Sequence, residues 1–178
     1  VLLAVLKPGM LETQVAAWGY FAARELGAEE LGFDIMVGAN EANRSLIGKA
    51  LNREIRPGDW VHLGVGTRRD GLNACIRRSV IAVPSPEKVT PEQRYWFEMV
   101  EGAYRVGYEK YCEVAERNLP AYLQEQALVD YFAARSAEVS RRIGRKIQLE
   151  FQKPYTGTHN SGYTECQEFF GAITLESD

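Results

Sequence analysis

The chain has 178 residues, 46% of them hydrophobic and 25% charged, with a net charge of -3 at pH 7. That is the make-up of one globular domain with a sizeable core, and its acidic balance leaves no basic footprint for nucleic acid. No apolar run approaches the roughly 18 residues of a membrane-spanning helix. The apolar opening Val1-Leu2-Leu3-Ala4-Val5-Leu6 is short, with no basic residue before it and no small-residue cleavage site after it, so neither a membrane partner nor a signal peptide is expected. Cys75, Cys112 and Cys166 have no paired spacing, which points to reduced thiols and a cytoplasmic setting.

In chain order, residues 1–7 read as the end of a helix closed by Lys7-Pro8-Gly9. Residues 12–26 form a second helix with Val15, Trp18, Ala22 and Leu26 as its apolar stripe and Gly27 as its C-terminal stop. Phe33, Ile35 and Val37 alternate, so residues 32–38 read as a strand that runs into a Gly38-Ala39-Asn40 turn. Asn40, Asn43 and Arg44 are polar loop residues suited either to a substrate or to local backbone.

Gly58-Asp59 opens the next stretch. Val61, Leu63 and Val65 fall on one side of a strand, and Trp60, His62, Gly64 and Gly66 on the other. Asp70-Gly71 then signals a tight hairpin turn, and residues 72–81 return as its second strand. His62 is either a core histidine or a group on the Gly64 face. Arg78 suits an ion pair or a substrate contact.

A linker with Pro84 and Pro86 leads to Thr90-Pro91-Glu92-Gln93, a helix-start pattern. The helix it opens runs to about residue 117, with Phe97, Val100, Tyr104, Tyr111 and Val114 expected on its core side. Asn118 and Pro120 break it. Residues 121–143 read as one further helix stopped by Gly144, and residues 146–152 as a strand, with Ile147, Leu149 and Phe151 alternating. The last feature is a polar loop, Thr156-Gly157-Thr158-His159-Asn160-Ser161-Gly162, followed by Glu165 and Glu168.

These elements, in this order, resemble the pita-bread family of methionine aminopeptidases, Xaa-Pro aminopeptidases, prolidases and creatinase. Its metal-dependent members carry Gly-Asp before the first hairpin strand, a metal-binding Asp within it and a Gly two residues on. A turn Gly, a second metal-binding Asp and an Arg follow at fixed spacing. Gly58-Asp59, Gly66, Gly71 and Arg78 fall in register with that pattern, while the two aspartate positions hold Gly64 and Cys75. The family's first-half substrate His would fall near Leu46-Ile47, where there is none. Its Gly-His-x-x-Gly loop matches His159 and Gly162. Its later His-Glu corresponds to Cys166-Gln167, and its Pro-Gly between the two long helices to Asn118-Leu119-Pro120.

The resemblance implies an α/β fold: a mixed, curved antiparallel sheet with helices on its outer face. Residues 1–178 would be a single, partial domain, incomplete at both ends. It further implies a hydrolase of a C–N bond in a small molecule or peptide, of the creatinase or aminopeptidase P type. With glycine and a lone thiol where two aspartates should stand, no metal and no other cofactor is expected. His159 is the expected catalytic residue, with Glu165, Glu168, His62, Asn40 and Arg78 as candidate substrate contacts. A homodimer is the expected assembly. Two further readings stand beside this one: a catalytically inactive member that binds a partner, and a metallopeptidase with a rebuilt site.

Overall fold

Arg69 pairs with Leu72 across a two-residue turn in which Asp70 (φ 51) and Gly71 (φ 76) are both left-handed. That conformation matches the right-handed twist of the flanking strands, which is why an Asp-Gly pair closes this hairpin. The computed structural model describes residues 1–41, 48–152, 158–159 and 172–175. They belong to two compact units, one built on Val1–Thr90 and the other on Pro91–Asn160.

In the first unit, two helices, α1 (Leu2–Val5) and α2 (Glu12–Glu25), precede a three-stranded antiparallel sheet. Its strands β1 (Glu30–Ala39), β2 (Trp60–Arg69) and β3 (Leu72–Ile81) lie in the order β1-β2-β3. One sheet face and the helices share a core of Leu2, Val15, Ala16, Ile35, Val37, Ala39, Ile55, Val61, Leu63 and Ala82. The side chains of Ile35, Ile55 and Val61 are wholly or almost wholly buried, each worth about 1.5–3 kcal/mol in transfer from water.

The expected stripe of α2 is turned. Val15 is buried, but Leu26 is 75% exposed and Trp18 is exposed too; the buried set is Glu12, Val15, Ala16, Gly19 and Ala23. The reason is close approach. A Cβ on Gly19 would lie 2.8 Å from Ile35 Cγ2, so the helix presents its small residues to the sheet. Glu12 is fully buried, and its carboxylate accepts the N–H groups of Ala39 (2.9 Å) and Leu51 (3.0 Å). This one side chain therefore joins the start of α2 to the end of β1 and to the segment before β2.

Strand β1 departs from simple alternation. Phe33 pairs with Gly66 and Met36 with Gly64, so three steps along β1 match two along β2. This irregularity moves Phe33 off the face of Ile35 and Val37 and onto the opposite one, where it meets Gly66.

The second unit consists of α3 (Pro91–Arg117), α4 (Tyr122–Ala133) and α5 (Ser136–Ile143), with a short strand pair, β4 (Thr158–His159) and β5 (Ala172–Ile173). Helix α3 buries Met99, Ala103 and Gly107, while Val100, Tyr104 and Tyr111, expected on the core side, are exposed, as is Tyr108. Again the small residues decide the contact. A Cβ on Gly102 would overlap the Tyr131 hydroxyl of α4, and one on Gly107 would lie 3.1 Å from Leu128 Cδ2.

The helix expected over residues 121–143 is two helices, and the strand expected over residues 146–152 is a 3₁₀ turn at Leu149–Phe151. The cause lies in α5. The Ser140 hydroxyl accepts the Ile147 N–H (2.9 Å) and the Ser136 hydroxyl accepts the Leu149 N–H (2.8 Å). With those donors held by serines, the segment hangs on the helix rather than on a neighbouring strand. Gly144 (φ 70) ends α5 as its sequence position predicts. No described helix is long and apolar enough to cross a membrane.

Candidate functional site

The sheet face opposite the core carries the positions singled out by the sequence. Strand pleating puts Val61 and Leu63 into the core and turns His62, Gly64 and Gly66 the other way. The register then sets three rows across β1, β2 and β3. They read Gly38, His62 and Ser79; Met36, Gly64 and Arg77; and Phe33, Gly66 and Cys75. Gly64 and Cys75, the two positions that hold aspartates in metal-dependent relatives of the resemblance, are diagonal neighbours on this face.

The space beside Gly64 is filled. Met36 is 1% exposed, and a Cβ built on Gly64 would overlap its Cε and lie 3.3 Å from its Cβ. A Cβ on Gly66 would likewise lie 2.6 Å from Phe33 Cδ1. The Arg77 guanidinium sits 6.0 Å from the centre of the Phe33 ring, on this same face. A pair of divalent ions needs several anionic oxygen donors. The groups offered here are a thioether, an aromatic ring, a thiol and a guanidinium, so these residues do not fit a metal pair.

His62 is half-buried, with Nδ1 3.5 Å from Ser79 Oγ. Burial pushes its pKa below the ordinary 6.5, and the nearby Arg77 charge pushes it further the same way. His62 is therefore neutral at pH 7 and able both to accept and to donate a hydrogen bond.

Asn40 and Arg78 lie elsewhere. Asn40 adopts a left-handed φ of 46. Its amide donates to Asp59 Oδ1 (2.5 Å) and accepts the Trp60 N–H (3.0 Å), while Asp59 Oδ2 accepts the Arg56 N–H (2.8 Å). Asn40 and the Gly58-Asp59 pair thus lock the end of β1 to the start of β2. Arg78 pairs across the sheet with Leu63, whose side chain is in the core, and donates to the Arg77 carbonyl (2.7 Å). It lines a groove of about 420 Å³ beside Leu2, Gly19 and Ile76, on the face away from Gly64.

The structure gives His159 a place in β4, its backbone paired with Ala172. Glu165, Glu168 and the Leu46-Ile47 position lie outside the described residues, as do Asn43 and Arg44. Among the described residues no three His, Cys, Asp or Glu side chains gather as metal ligands.

Sequence reasoning missed Met36, Phe33 and Arg77 as occupants of this face. Arg77 was legible in principle, since it lies two residues from Cys75 on the same strand face.

A profile of metallopeptidase family M24 matches residues 1–165. No curated protein sequence matches the chain. Among solved structures the chain is similar to prolidase from Pyrococcus furiosus, with a TM-score of 0.73 and 18% identity over 99% of this chain and 46% of that one. It is also similar to Xaa-Pro dipeptidase from Bacillus anthracis, with a TM-score of 0.72 and 20% identity over 99% of this chain and 44% of that one. X-Pro aminopeptidase from Thermotoga maritima gives 0.71 and 18% identity, with 99% and 44% covered. The chain thus spans less than half the length of these proteins, whose likeness carries the α/β pita-bread fold. Matched by the family profile along nearly its whole length, the chain belongs to metallopeptidase family M24.

Proposed function

We propose that this family member is a creatinase- or aminopeptidase P-like hydrolase of a C–N bond in a small molecule or peptide, and that it works without a metal ion. The observation that carries the reading is the row Met36–Gly64–Arg77. Where a carboxylate would hold a cation, there is a glycine with a guanidinium directly across from it. His159 is the proposed proton carrier. It takes a proton from the attacking water as the new C–O bond forms. It then returns that proton to the leaving nitrogen, which departs with the electron pair of the broken C–N bond.

Glu165, Glu168 and His62 are the proposed substrate contacts. Asn40 and Arg78 are left out of the set, because the one is committed to Asp59 and Trp60 and the other lies on the opposite face. A cytoplasmic setting and a homodimer complete the proposal. The test is release of amine or ammonia from a panel of amides, dipeptides and guanidino compounds, assayed with a chelator present. The expected result is turnover that persists with chelator and is lost in His159→Ala.

The exposed tyrosines of α3 favour a second reading, a non-catalytic member that binds a partner. Tyr104 and Tyr108 stack at 6.1 Å with their rings 13° apart, and Tyr104 is 63% exposed. Aromatic side chains are the usual anchors of protein interfaces. No turnover across the panel, together with capture of a protein partner that Tyr104→Ala abolishes, would select this reading.

A further inference from the structure

We infer that Met36 sets the selectivity of this site against a metal ion, so that carboxylates restored at positions 64 and 75 leave the site closed while Met36 remains. The inference deepens the metal-independent reading and rests on it.

Three observations bear on it. The first is how much of Met36 lies against Gly64. A Cβ at position 64 would overlap Met36 Cε, and would also lie 3.3 Å from its Cβ and 3.6 Å from its Cγ. Turning the terminal methyl aside would leave an ordinary Cγ contact and a Cβ contact only a few tenths of an ångström too close, so what closes the space is whether the methyl has room to turn. The second is the lack of anywhere for the side chain to go. Met36 is 1% exposed. On the Gly66 side the way is taken by Phe33, whose Cδ1 and Cζ would lie 2.6 and 2.9 Å from a Cβ on Gly66.

The third is charge. Arg77 is the cross-strand partner of Gly64, and its guanidinium lies on this face near Phe33. A carboxylate introduced at position 64 would stand across from Arg77 as a cross-strand pair of opposite charge. A divalent ion would meet its repulsion in surroundings of low polarity. The missing aspartates are thus only part of the change: a buried methionine has taken the ligand's volume, and an arginine has reversed the sign of the charge.

The test is a thermal denaturation cycle on Gly64→Ala, Met36→Ala and the pair. Gly64→Ala alone should lower the melting temperature by about 3–8 °C, as overpacking of a buried site does. In the Met36→Ala background the same change should cost little or raise the melting temperature. Equal losses in the two backgrounds would overturn the inference. In a second arm, Gly64→Asp with Cys75→Asp is titrated with Co²⁺ alone and followed by its visible absorption. No uptake is expected while Met36 is intact, and binding of about one ion per chain or more would overturn the inference. If the aspartate variant fails to fold, the alanine cycle still decides. Chelator-sensitive turnover by the unaltered protein would end the functional reading without touching the cycle. An uncoupled cycle would end this inference and leave that reading in place.

Discussion

Gly64 and Arg77 stand directly across from each other on paired strands, on the same sheet face as His62. Burial is the larger cause of the lowered His62 pKa, and the Arg77 charge is the second. Replacing Arg77 with Gln should raise the His62 pKa part of the way back towards 6.5. Titration of the His62 ring protons by NMR in both proteins checks this. An unchanged titration would mean that the guanidinium charge does not reach the ring.

The same shift makes stability depend on pH. His62 has a lower pKa folded than unfolded, so between the two values the unfolded chain binds the extra proton. The stabilising contribution is present above the unfolded pKa near 6.5 and is lost as the pH falls towards the folded pKa. His62→Gln should flatten this part of the stability curve, as measured by urea denaturation from pH 7 downwards. A slope unchanged by the substitution would assign it to another group.

Glu12 is buried and its carboxylate accepts two backbone N–H groups, those of Ala39 and Leu51. Glu12→Ala should cost roughly 2–4 kcal/mol, because it leaves both donors without their acceptor and opens a void. Glu12→Gln, which keeps an acceptor oxygen, should cost less. Urea denaturation at pH 7 orders the three proteins.

Gly102 of α3 lies under the Tyr131 hydroxyl, which donates to the Met99 carbonyl at 2.8 Å. Gly102→Ala should displace Tyr131, break that bond and cost about 1–3 kcal/mol. In a Tyr131→Phe background the added methyl should cost less, since the hydroxyl it would strike is gone. Denaturation of the four proteins of this cycle checks the coupling.

What the sequence revealed is what local chemistry determines. Asp70-Gly71 specifies its turn within two residues, and Gly27 and Gly144 mark helix ends through their left-handed φ. The positions Gly64 and Cys75 followed from the resemblance to the pita-bread family, with Gly58-Asp59, Gly66, Gly71 and Arg78 fixing the register. What was not legible depends on contacts made far along the chain. The buried sides of α2 and α3 are chosen by Gly19, Gly102 and Gly107, which admit Ile35, Tyr131 and Leu128. Counting large apolar residues cannot find such a side. Residues 146–152 alternate like a strand, but Ser136 and Ser140 take their N–H groups. The filling of the Gly64 face was hidden for a related reason. Strict alternation puts Met36 over Gly64 but Phe33 with Ile35 and Val37, and only the register shift between Phe33 and Met36 brings Phe33 over Gly66.

The most direct test of the account is elemental analysis of the protein prepared without chelator, paired with turnover before and after EDTA treatment. A metal pair held by carboxylates activates a shared water, so its removal stops the reaction. With Gly64 and Cys75 at the two carboxylate positions, Met36 in the ligand's volume and Arg77 across from it, the account predicts no stoichiometric manganese, cobalt or zinc. It also predicts the same turnover on either side of the EDTA step. About two equivalents of transition metal per chain, lost on EDTA treatment together with activity, would contradict it.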